Sequence, residues 1–178
     1  MGIVESLKKE FDFEEEWVGY ELHPETPQQG VAITEKFPDL DLEKFQAGLN
    51  ARSGQYGINF GKFSLISNSS MALQISELAR EKGIYEAFHK EMFRMYFCEG
   101  LDIGNIDVII EGGRNIGLDE RPINEAIDSG RFLVRLEQAR IEALELKINA
   151  VPTFIIDGEK KIVGALPIDR FRMALSQK

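Results

Sequence analysis

The sequence has a single cysteine, Cys98, so no disulfide can close within it. Its histidines, His23 and His89, stand far apart, and neither has a second ligand at a recognised metal spacing, which argues against a zinc site or any other metal. No stretch approaches the roughly 20 consecutive apolar residues that span a bilayer. The first residues also lack the basic-then-apolar order of a signal peptide, so a cytoplasmic chain with no membrane partner is expected. Basic residues are in the minority: 21 Lys and Arg against 30 Asp and Glu leave a formal net charge of -9. That charge repels phosphate backbones and excludes general nucleic-acid binding. Internal repeats and low-complexity tracts are lacking too.

What is present suffices for one domain. At 178 residues and 43% hydrophobic content, the chain can bury a sizeable core and carry an inserted subdomain, while two independent domains would be a squeeze. From Met1 to Asp12, the apolar residues Ile3, Val4, Leu7 and Phe11 fall on one helical face. Glu15 to Leu22, with Trp17, Val18 and Tyr20, favours a strand that stops at the prolines Pro24 and Pro27. A second helix carries Leu42, Phe45 and Leu49 and breaks near Ser53-Gly54.

From Asn68 to about Leu146 the pattern predicts helix after helix. The first is capped by one of Asn68, Ser69 and Ser70 and turns Ala72, Ile75, Leu78 and Ala79 inward. The next runs through Tyr85, Phe88, Met92, Phe93, Tyr96 and Phe97. A helix around Ile106 to Ile110 follows, then one capped by Asp119 with Ile123, Ala126 and Ile127, then a longer one with Phe132, Leu133, Leu136, Ala143 and Leu144. At Ala150-Val151-Pro152 the character changes. Thr153 to Ile156 reads as a strand, Asp157-Gly158 begins a turn, Lys161 to Ala165 reads as a second strand, and Pro167 opens a last helix with Ile168, Phe171 and Leu175 inward. Gly112-Gly113 and Gly117 follow no strand, fail as a dinucleotide loop and are expected to be helix ends; no cofactor is expected.

Residues 150 to 158, Ala-Val-Pro-Thr-Phe-Ile-Ile-Asp-Gly, resemble the cis-proline loop, strand and turn of the DsbA family, and Gly164-Ala165 with the helix from Pro167 resembles that family's ending. Phe93-Arg94-Met95-Tyr96-Phe97, Glu99-Gly100-Leu101-Asp102-Ile103 and Tyr20-Glu21-Leu22-His23-Pro24 are similar to tracts of its FrnE-like branch. The resemblance covers nearly the whole chain. It implies an α/β thioredoxin-like fold with an inserted α-helical domain: residues 1–40 and 148–178 would form the thioredoxin-like part, and 41–147 the insertion.

The same resemblance exposes a departure. In the family, a central strand ending in Cys-x-x-Cys precedes the first helix, and that helix matches the segment starting near Gly2 here. With the motif absent, no catalytic residue is assigned: the family's attacking thiolate is favoured by a helix N-terminus, and this chain has no such cysteine pair. Loss of a central strand also strands backbone groups on both neighbours. At roughly 1–3 kcal/mol per buried unsatisfied group, several such losses rival the roughly 5–15 kcal/mol that holds a domain together. Three resolutions are open: a start lying about 15–20 residues upstream of Met1, which is favoured; closure or re-registration of the flanking strands; or completion of the sheet by a second copy in a homodimer.

The resemblance makes Val151, Pro152 and Thr153 the substrate-binding residues. A cis bond into Pro152 would leave the preceding backbone free to pair with a thiol or disulfide substrate, whether protein, peptide or glutathione. The implied activity is thiol-disulfide oxidoreductase or isomerase chemistry of the FrnE-like kind, in a chain without its redox motif. One alternative is a glutathione-dependent isomerase or transferase resembling 2-hydroxychromene-2-carboxylate isomerase and the kappa class; the other is a non-catalytic binding module. Cys98 reads as a packing residue in an aromatic-rich helix, His89 as a partly exposed residue of that helix, and His23 as a loop residue. The aromatic cluster from Tyr85 to Phe97 suits either a groove or the core.

Overall fold

Apolar residues recurring every three or four positions become helices in the computed structural model, which describes residues 2–176. The chain divides into two units: residues up to Val18 together with those from Arg140 onward, and Gly19–Ala139. These boundaries differ from the division at 40 and 147 implied by resemblance. Within the Gly19–Ala139 unit, β1 (Val31–Ala32) and β2 (Leu65–Ile66) form a short antiparallel ladder.

In the Gly19–Ala139 unit, α2 (Ile33–Lys36) and α3 (Leu42–Ser53) precede β2. Asp41 caps α3 by accepting from the Lys44 amide at 3.0 Å, yet none of the residues of α3 is buried. The core is built by α4 (Ser70–Glu81), α5 (Tyr85–Phe93), α6 (Ile106–Asn115) and α7 (Glu120–Ser129). Ile75, Phe88, Met95, Ile109 and Ile123 are sealed at its centre. The expected inward residues of α4 are all buried; Ser69 at the N-cap makes no side-chain capping bond, and the Asn68 side-chain oxygen one residue earlier accepts from the Ser70 amide at 3.0 Å. Asp119 stands at the N-cap of α7 but makes no side-chain capping bond.

The expected helix through Tyr85 to Phe97 runs without a break, its last stretch over Arg94–Cys98 wound as a π-turn. Segment 60–63 lies against that turn, with the Gly61 amide donating to the Phe97 carbonyl at 2.9 Å and the rings of Phe60 and Phe63 edge-on to Phe97. One expectation for this unit needs correction: Gly112 and Gly113 are not helix ends. They sit inside α6, where a Cβ on Gly112 would come within 2.2 Å of Met92 and one on Gly113 within 2.6 Å of Ile123, so their lack of a side chain admits the neighbouring core. Gly117, at φ +81, does end the helix.

In the other unit, α1 spans Gly2–Leu7, shorter than the expected Met1–Asp12; Met1 lies outside the described residues. Val4 and Leu7 are buried, and α1 packs against α9 (Ile168–Ser176). Arg172 of α9 grips the Glu10 carboxylate with two bonds of 2.8 and 2.7 Å. The helix α8 (Leu133–Glu145) is shared in sequence by both units; Phe132, Leu136 and Ala143 are buried, whereas Leu133 and Leu144 are exposed. The expected strand at Glu15–Leu22 does not form. A strand exists only where a neighbour supplies a ladder, and among the described residues no strand is laid beside this segment.

Candidate functional site

The hairpin forms where the β-branched run meets a turn. β3 (Thr153–Ile156) pairs antiparallel with β4 (Lys160–Val163), Thr153 opposite Val163 and Ile156 opposite Lys160. Asp157 and Gly158 take the left-handed conformation that reverses the chain, at φ 53 and 73. Alternation gives the hairpin two faces. Phe154 stands edge-on to buried Phe171 of α9 at 4.9 Å, and the Lys160 amine donates to the Ala174 carbonyl at 3.1 Å, so this face is covered by α9. On the other face lie Thr153, Ile155, Lys161 and Val163, with Ile155 and Val163 exposed. Lys161 donates to the Leu146 carbonyl at 2.9 Å, at the end of α8.

The three expected site residues lie where β3 begins. The Val151-Pro152 bond is cis. The Pro152 carbonyl accepts from the Gly164 amide at 2.7 Å, which extends the hairpin ladder by one step, and the Thr153 hydroxyl donates to the Ala150 carbonyl at 2.7 Å. Both bonds pin the loop from within. Val151 is left outward: the residue is 52% exposed, and its backbone amide and carbonyl have no hydrogen-bond partner among the described residues. Gly164, at φ 85, is a supporting residue that the sequence singles out only within the resemblance of the chain's ending; its bond to Pro152 depends on strand pairing.

The remaining candidates lie in the Gly19–Ala139 unit. Cys98 ends the π-turn and is half-buried. The His89 ring stacks on Tyr85 and lies 4.4 Å from the ring of Phe93. His23 belongs to an exposed ion cluster with Glu25 and Lys36. Within the aromatic tract, Phe88 and Met92 are core, Phe93 is exposed, and Tyr96 donates to the Leu65 carbonyl at 2.7 Å; burial pushes the Tyr96 phenol above its usual pKa. Among the described residues no cluster of His, Cys, Asp and Glu is arranged to hold a metal, and no helix is long and apolar enough to cross a membrane.

The family model described as the DSBA-like thioredoxin domain matches residues 4–176. The chain belongs to the DSBA-like thioredoxin family. Among the relatives of this DSBA-like chain is the uncharacterized protein YwbO of Bacillus subtilis (strain 168), 28% identical over 170 residues, which cover 94% of this chain and 83% of YwbO. The crystal structure of a probable DsbA oxidoreductase from Streptomyces coelicolor superposes with a TM-score of 0.80 at 22% identity, over 89% of this chain and 72% of that one. A structure of 2-hydroxychromene-2-carboxylate isomerase gives a TM-score of 0.76 at 18% identity, over 98% and 84% of the respective chains. At those identities the two structures establish the DSBA-like fold and leave the reaction open.

Proposed function

We propose that this chain holds extended thiol or disulfide substrates at the Val151 loop, in thiol-disulfide oxidoreductase or isomerase chemistry of the FrnE-like kind. The observation that carries the reading is the outward Val151, with an unpartnered amide and carbonyl, on a loop fixed from behind by the Gly164 to Pro152 and Thr153 to Ala150 bonds. An extended backbone laid beside Val151 would exchange hydrogen bonds with it, as in strand addition, with no reorganisation of the loop. Val151, Pro152 and Thr153 are the substrate-binding residues in this proposal.

A full exchange cycle needs two sulfurs that alternate between thiols and a disulfide. Cys98 is the only cysteine of these 178 residues, so they hold a substrate without closing that cycle. Binding and turnover are therefore tested separately. Titration calorimetry should show a cysteine-bearing extended peptide binding, with affinity lost when the peptide's central amides are N-methylated. Tighter binding of glutathione than of any peptide would favour the isomerase or transferase alternative. In a disulfide-reductase assay with this chain alone, turnover that survives Cys98→Ala would refute the proposal.

A further inference from the structure

Segment 58–63, which forms neither helix nor strand, is held from two sides by different chemistry. On one side stands the π-turn. The Gly61 amide donates to the Phe97 carbonyl at 2.9 Å. Backbone meets backbone so closely here that a Cβ on Gly61 would fall 1.9 Å from the Cys98 carbonyl oxygen, and one on Gly100 2.4 Å from that of Lys62. The Phe60 and Phe63 rings stand edge-on to Phe97, and Phe63 is buried. This side of the segment belongs to the close-packed interior.

On the other side stands α3, and polar side chains make the seam. The Asn50 carboxamide acts as a strand neighbour would: its nitrogen donates to the Phe60 carbonyl at 2.9 Å and its oxygen accepts from the Phe60 amide at 2.6 Å. Gln46 donates to the Phe63 carbonyl at 2.8 Å, and the Ser53 hydroxyl to the Ile58 carbonyl at 2.8 Å. Positions 46, 50 and 53 recur at helical spacing, so one face of α3 carries all these bonds. No residue of α3 is buried: Leu42 and Leu49 are half-covered and Phe45 is exposed. By contrast α4, of equal length, buries Ala72, Ile75, Leu78 and Ala79. A side-chain hydrogen bond exchanged for one to water changes a population by a factor of roughly 2–10, whereas emptying a packed core costs far more. Just beyond α3, Gly54 and Gly57 have open space around them, and Gly57 takes φ +69, which supplies a hinge.

We propose that α3 is a lid that lifts as a unit from segment 58–63, with the Asn50 carboxamide as its latch, while the segment stays seated on the π-turn. Lifting uncovers the amide and carbonyl of Phe60 and the carbonyls of Ile58 and Phe63 together. It is a local opening, reached well before global unfolding.

Native-state hydrogen exchange on the full chain, read by NMR at rising sub-denaturing urea, tests this. The Phe60 amide and the interior amides of α3 should share one protection factor, about a hundredfold or more below that of the Ile75 and Leu78 amides and with little urea dependence. The Gly61 amide should stay as protected as those of α4. Asn50→Ala should speed exchange across α3 about tenfold and leave Ile75 and Leu78 within about twofold of their original rates. Where Asn50→Ala fails to fold by circular dichroism, the comparison of α3 with α4 in the unaltered chain decides. Protection of α3 equal to that of α4 would overturn the proposal, as would α3 exchange indifferent to Asn50→Ala. So would a Phe60 amide that stays protected while α3 exchanges, which marks fraying of the helix instead of a lid.

Discussion

The helical unit and the hairpin unit treat their apolar residues in opposite ways. In the first, Ile75, Phe88, Met95, Ile109 and Ile123 are sealed inside four helices that enclose one another. In the second, Val4, Leu7, Ala143 and Phe171 are buried, while Ile141, Leu144, Leu146, Val151, Ile155, Val163, Leu166 and Met173 are exposed. Helices satisfy their own backbone hydrogen bonds, so a helical core closes once its side chains interlock. A sheet leaves two edges unsatisfied, and a two-stranded one needs a further strand or a partner to finish it. The difference sets a closed helical core against a hairpin whose outer strand edge is left without a paired strand among the described residues.

The sharpest way to break this contrast is to damage the scaffold. Phe88→Ala, at a fully buried position, should cost about 3–5 kcal/mol in urea unfolding. Gly61→Ala should follow at about 1–3 kcal/mol or more, because its Cβ would lie 1.9 Å from the Cys98 carbonyl oxygen, a backbone atom that cannot swing aside. At the hairpin, Ile155→Ser should change stability by no more than about 0.5 kcal/mol; a loss comparable to that at Phe88 would make β3 part of a closed core.

Acid should act on both units through depressed carboxylates. Hydrogen bonds from the Arg172 guanidinium hold Glu10 below the usual carboxylate pKa, and Arg94 does the same for Glu91, with help from Asn115. Groups whose folded pKa is depressed stabilise the fold above the unfolded value, and that contribution disappears as pH falls through the folded value, below about 4. Glu10→Gln and Glu91→Gln should each flatten the acid limb of the urea midpoint against pH.

The smallest effects probe the edge itself. In dilute solution the amides of Thr153 and Ile155 should exchange with solvent quickly while those of Phe154 and Ile156 are slow, and equal protection would contradict the assigned ladder.

Much of the helical unit was legible because helices are set by local spacing: α4, α6 and α7 appear within a few residues of their expected places. The hairpin was legible for a similar reason, through a β-branched run around Asp157-Gly158. Residues 15–22 misled because their composition favours a strand, while strand formation depends on a partner that composition does not reveal. Gly112 and Gly113 misled because a glycine needed for close packing looks the same in sequence as one needed for a turn.

The order of residues alone settled the helical periods, the turn, the acid surplus, the lone sulfur and the resemblance at 150–158, all of which depend on neighbours along the chain. Only folding in three dimensions settled which backbone groups find partners. Pro152 is tied to Gly164 and Gly61 to Phe97, while Val151, Thr153 and Ile155 turn outward, because hydrogen bonding across strands is decided by register and contact between residues far apart in sequence.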